Sequence, residues 1–177
     1  MKKSYAVVTG ASSGIGECFA RRLAKEGYSL VLVARRKERL NRLADELKAE
    51  GTHVVIETAD LSKKDECLRL MSALGDKRIG VFINNAGFGD CGRFADTSLD
   101  KDLDMIDVNI RAVHILTKLV LRKMRSQGGG YLLNVASSAG LIPAGPYMAT
   151  YYASKAYVAS MTRAVARFMS EHCAPDR

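Results

Sequence analysis

No apolar stretch in this 177-residue sequence reaches the roughly 20 residues that a membrane span needs, so no membrane partner is expected. Nor is there room for a secretory leader. Met1-Lys2-Lys3 runs straight into Tyr5-Ala6-Val7-Val8, and the expected location is the cytoplasm. Cysteine is sparse and unpatterned: Cys18, Cys67, Cys91 and Cys173 make no Cys-x-x-Cys pair, and in a reducing compartment free thiols are expected. His53, His114 and His172 lie far apart with no metal-ligand spacing, which makes them structural or surface residues and leaves no metal to expect. The net charge of +8 and pI near 9.4 invite a nucleic-acid reading. Against it, the basic residues are spread along helix faces beside acids, and no basic arm, zinc knuckle or aromatic RNA-binding motif is present. The charge excess suits attraction of a small anionic molecule instead. No internal repeat is visible, and length and 47% hydrophobic content suit one domain over 1–177.

What the sequence does hold is an alternation of apolar β-type runs with helical periodicity. Strands are predicted near 4–9, 29–34, 53–58, 79–83 and 131–136, and helices near 14–26, 37–50, 63–73, 100–126 and 150–171. Such alternation implies an α/β fold, a doubly wound parallel sheet with helices on both faces, in the order 3-2-1-4-5. Asp100, Asp102, Asp104 and Asp107 look like an acid cluster, but at the start of a long helix they complement its dipole.

The first strand runs into Thr9-Gly10-Ala11-Ser12-Ser13-Gly14-Ile15-Gly16, after which Phe19, Ala20, Leu23 and Ala24 mark the inner face of a helix. Glycines between a strand and a helix start are the setting of a dinucleotide site. Gly10 permits the tight turn, Gly14 lets the backbone approach a pyrophosphate, and Gly16 lets helix and strand pack closely. The free N–H groups and partial positive charge of the helix start face the phosphates. The spacing is Gly-x-x-x-Gly-x-Gly, not the commoner Gly-x-Gly-x-x-Gly.

Further on, Tyr151 and Lys155 stand four residues apart and share a helix face, with Ser138 thirteen residues upstream of Tyr151 just past a strand. An ammonium beside a phenol favours the phenolate, and a tyrosine so tuned can give a proton to a carbonyl oxygen near neutral pH. Ser138 is placed to steady that oxygen. Two other strands end in motifs of their own, Asn84-Asn85-Ala86-Gly87 and Ala136-Ser137-Ser138-Ala139-Gly140.

In order and spacing these four motifs resemble the short-chain dehydrogenase/reductase family, from Tyr5 to about Phe168. The resemblance implies a Rossmann-type NAD(P)-binding domain whose cofactor loop comprises Thr9, Gly10, Ser12, Ser13, Gly14, Ile15 and Gly16. It assigns Asp60 and Leu61 to the adenine, and Asn85, Ala86 and Gly87 to the cofactor's flank. It makes Asn109, Ser138, Tyr151 and Lys155 a catalytic tetrad, with Asn109 holding a water beside the lysine and Lys155 also gripping ribose hydroxyls. It further implies a homodimer or homotetramer paired through the helices at 100–126 and 150–171.

The second strand ends at Ala34-Arg35-Arg36, where an acid would accept from the 2′-hydroxyl of NAD. A guanidinium there binds phosphate bidentately, so NADP(H) is expected over NAD(H), with Arg35 and then Arg36 at the 2′-phosphate. The apolar loop after Ser138 (Leu141, Ile142, Pro143, Ala144, Pro146, Tyr147, Met148) suggests a hydrophobic or medium-sized carbonyl or secondary alcohol substrate, with ketoacyl thioesters, steroids and simple ketones or sugars all open. Family members continue through two more strands and a substrate lid, whereas this chain stops at Ala174-Pro175-Asp176-Arg177. The expectation is a short member, incomplete at its C-terminus: a truncated product, an enzyme completed by a partner chain, or a naturally short relative. The alternative to an active oxidoreductase is a catalytically silent nucleotide-binding or oligomerisation module.

Overall fold

The computed structural model describes residues 4–172. Five strands form one parallel sheet: β1 (Tyr5–Thr9), β2 (Ser29–Ala34), β3 (Val54–Thr58), β4 (Ile79–Asn84) and β5 (Tyr131–Asn134). Their order is β3-β2-β1-β4-β5, the doubly wound order expected. The inner strands are apolar at nearly every position because both their faces are covered, whereas β5 leaves Tyr131 and Leu133 exposed. Successive side chains alternate between faces. Ala6, Val8, Leu30 and Leu32 therefore pack under α1 (Gly14–Lys25) and α2 (Lys37–Ala49). Val7, Val31, Val33 and Phe82 pack on the other side, under α3 (Lys64–Ala73) and α5 (Val113–Ser126). Register keeps these layers aligned, with Val7 opposite Val31 and Phe82.

Most predicted limits shift by a residue, and two elements differ further. β3 begins at Val54, and β5 ends at Asn134, two residues early, because the chain turns into a single 3-10 turn, Ser138–Gly140. The Ser137 hydroxyl caps that turn by accepting from Ala139 N at 3.2 Å. The helix expected over 100–126 is continuous but not uniform. α4 (Leu99–Ile106) passes through a wider π-helical segment, Asp107–Ala112, before α5 resumes. α6 (Ala149–His172) closes the described chain.

Buried side-chain amides fasten β5, the sheet's edge among the described residues. Asn84 Nδ2 donates to Asn134 Oδ1 at 2.8 Å, and Asn134 Nδ2 donates to Thr162 Oγ1 at 2.9 Å. Thr117 Oγ1 also donates to Asn134 Oδ1, at 3.1 Å. One polar knot thus joins β4, β5, α5 and α6, leaving the buried Asn84 Oδ1 as the acceptor in it without a partner among the described residues.

Candidate active site

Where the strand order reverses, the loops after β1 and β4 diverge and open a cleft of about 890 Å³ at the carboxyl ends of the strands. Thr9 fixes its floor. The Thr9 hydroxyl donates to Ile83 O and accepts from the backbone N–H groups of Asn85 (2.9 Å) and Ala86 (3.0 Å). Asn85 Nδ2 returns a bond to Thr9 O at 3.0 Å. Thr9 is buried and lies beneath the cleft, so it supports the expected cofactor loop without lining it.

The glycines act sterically. Gly10 has φ +67°, and a Cβ there would come within 2.9 Å of Ala86 Cα. A Cβ on Gly16 would strike the Gly10 carbonyl and Asn85 Nδ2, so only glycine lets α1 sit so close behind β1. Gly16 packs behind the loop, Gly14 is exposed with φ +57° and open space where a Cβ would stand, and Gly10, Ser12, Ser13 and Ile15 form the cleft wall.

Arg35 and Arg36 both line the cleft. Arg36, the second choice from sequence, is the one tied to the glycine loop. Its Nη2 donates to Ser12 Oγ (3.0 Å) and Ser13 Oγ (2.8 Å), and its Nε to Ser12 Oγ (3.3 Å). The guanidinium thus rests on two neutral hydroxyls. Asp60 and Leu61 line the same end of the cleft, with Asp60 Oδ1 accepting from Ser62 N and Oγ.

At the opposite end, Asn85, Ala86 and Gly87 line the cleft together with Tyr151 and Lys155. Lys155 is buried, 7% exposed, and its Nζ donates to Val135 O at 3.0 Å. Burial pushes the ammonium below the usual lysine range. Its Nζ lies 5.9 Å from the centroid of the Tyr151 ring. As predicted, four-residue spacing on one helix puts the two together.

Asn109 is buried behind this pair, in the π-helical segment. Its Nδ2 donates to Phe88 O (2.8 Å) and Ser154 Oγ (3.1 Å), and its Oδ1 accepts from Phe88 N (3.1 Å). Asn109 is thus clamped onto the loop that follows β4. Ser138 opens the 3-10 turn as an exposed residue and does not line the cleft. Of the four expected catalytic residues, the structure brings Tyr151 and Lys155 to the cleft, Asn109 behind it, and Ser138 beside it.

Sequence reading missed Phe88, Gly89, Asp90 and Cys91, which continue the cleft wall from Gly87 toward Met148. The available signal was Gly87-x-Gly89, a second bare Cα right after the asparagine motif. Gly92 N donates to Tyr147 O at 2.8 Å and joins this loop to the apolar one after Ser138.

A family model described as short chain dehydrogenase matches residues 4–173. The chain is 38% identical over 166 residues to a very-long-chain 3-oxoacyl-CoA reductase of Anas platyrhynchos, covering 90% of this chain and 53% of that protein. It therefore spans about half the length of such curated relatives. Among solved structures, a short-chain dehydrogenase from Sphingobium yanoikuyae in complex with NADPH superposes with TM-score 0.89 at 35% identity, covering 95% of this chain and 66% of that one. A Burkholderia phymatum short chain dehydrogenase/reductase in complex with NAD gives 0.87 at 32%, covering 93% and 59%.

Proposed function

The chain belongs to the short-chain dehydrogenase/reductase family, and from that premise we propose that it is an oxidoreductase using NADP(H) in preference to NAD(H) on an apolar carbonyl compound or secondary alcohol. One observation carries the reading: Tyr151 and the buried Lys155 line the same cleft as the glycine loop after β1.

The cleft suits a dinucleotide. A helix N-terminus meets a turn that tolerates no Cβ at Gly10 or Gly16, and backbone N–H groups there hold phosphate. Arg36, resting on Ser12 and Ser13 with no carboxylate to displace among the described residues, is in this reading the principal 2′-phosphate ligand, with Arg35 beside it. Asp60 and Leu61 take the adenine end, and Asn85 to Gly87 flank the nicotinamide end. A bound nicotinamide cofactor supplies hydride exchange with the substrate carbon. Tyr151 delivers the proton to the carbonyl oxygen or removes it from the alcohol, and Lys155 would hold the ribose hydroxyls of the cofactor. Ser138 steadies the substrate oxygen, and Asn109 maintains the loop and the proton path behind the lysine.

Leu141, Ile142 and Tyr147 are exposed beside the cleft and suit an apolar substrate, in keeping with the long-chain acyl substrate in the name of the Anas platyrhynchos relative. A homodimer or homotetramer is part of the same proposal, supported by Leu103, Ile106 and Tyr157, apolar side chains exposed on α4 and α6.

Fluorescence titration with NADPH and NADH in parallel tests the cofactor reading, followed by a screen of apolar ketones. Tighter binding of NADPH, with turnover abolished and binding spared in Tyr151→Phe, is the expected result. Full activity in Tyr151→Phe sinks the mechanism. Binding without turnover on any carbonyl identifies a silent nucleotide-binding module instead.

A further inference from the structure

The loop after β4 touches the reactive phenol at one point. A Cβ on Gly89 would lie 3.0 Å from Tyr151 Cδ2 and 3.4 Å from its Cε2, with Met148 Cε at 3.3 Å. Gly89 is not among the glycines with positive φ, so an alanine there meets no backbone strain and only this contact is at stake. The backbone on both sides of the contact is held, so the adjustment falls on the side chains. Asn109 grips both backbone polar atoms of Phe88, the residue before Gly89. The same Asn109 Nδ2 donates to Ser154 Oγ, which donates to Tyr151 O at 2.8 Å. Loop and helix turn are therefore held to one side chain, and the tyrosine ring edge lies against the bare Cα between them.

We propose that Gly89 is a positioning residue for Tyr151: its missing side chain sets how far the phenol ring advances over the loop, with Asn109 holding the loop and, through Ser154, the tyrosine backbone at a fixed separation. The inference rests on the reading of Tyr151 as proton donor. An alanine would oblige the ring to yield by a few tenths of an ångström, and displacements below 1 Å at a reacting group already lower rates severalfold.

The test uses the intact chain with 13C-labelled tyrosine. Its Tyr151 ring signals are assigned by their loss in Tyr151→Phe. Gly89→Ala is expected to move the Tyr151 ring signals, leave those of the other tyrosines in place, and change NADPH affinity by no more than about two-fold. In turnover, kcat falls about ten-fold while the KM for NADPH holds. Adding Met148→Ala to Gly89→Ala does not restore the rate if the ring contact governs; full restoration transfers the role to Met148 and overturns the proposal. An active wild-type chain whose Tyr151 signals and kcat ignore Gly89→Ala overturns the proposal alone. A wild-type chain with no reductase activity overturns the proton-donor reading and the positioning role with it.

Discussion

Lys155 carries the sharpest chemical consequence at the scale of one residue. Its folded-state value lies below the ordinary 10.5 because burial disfavours the ammonium. Between the lowered value and 10.5 the unfolded chain binds more protons than the folded one, so stability rises with pH across that window. Below the window both states are protonated, and the cost of burying the charge is constant and full. Lys155→Met should therefore be more stable than the parent at neutral pH and show a flatter alkaline rise, measurable as urea midpoints over a pH series. Cys67 gives a second prediction. Burial pushes its thiol up to about 11, so a thiol reagent at neutral pH should modify the exposed Cys18 and Cys91 and leave Cys67 untouched. Cys91 lines the cleft, so saturating NADPH should slow its alkylation and not that of Cys18; peptide mass mapping reads both. Tyr151, Lys155 and the glycines were legible because their chemistry depends on local spacing. The bond from Arg36 to Ser12 and Ser13 was not, since it spans more than twenty residues and depends on how the β2 terminus meets the β1 loop.

At the scale of elements, strand and helix limits followed the apolar periodicity to within two residues, because a buried parallel sheet demands unbroken β-type runs. The π-helical segment left no such trace. Asp-Val-Asn-Ile-Arg-Ala reads as ordinary helix, and one wide turn barely disturbs the period on either side. The start of α4 is more conventional. Ser98 Oγ accepts from Lys101 N, and Asp100 and Asp102 occupy the first turn. Ser98→Ala should cost about 1 kcal/mol of stability. Asn109→Ala should cost more, about 2 kcal/mol, because it removes a buried amide and leaves the part-buried donor and acceptor of Phe88 without it. Hydrogen exchange should show Phe88 losing protection in Asn109→Ala and keeping it in Ser98→Ala.

For the molecule as a whole, the +8 charge and the two arginines at one end of the cleft make dinucleotide affinity a function of ionic strength. NADPH binding should weaken more steeply with salt than NADH binding, by the contribution of one extra phosphate, and parallel titrations from low to moderate salt measure the difference. Equal slopes would remove the 2′-phosphate from the arginines. The wide turn in the long helix bears on this chain's history as well as its chemistry. An i→i+5 turn takes up one residue more than an i→i+4 turn, so a single-codon deletion within 107–112 is a length change this helix can absorb while Leu116, Val120 and Met124 stay turned toward the sheet. The shortened helix would keep its packing and lose the displacement that lets Asn109 reach Phe88. In an alignment, such a deletion would appear as a one-residue gap inside a helix, marking relatives that hold the loop over their tyrosine by other means.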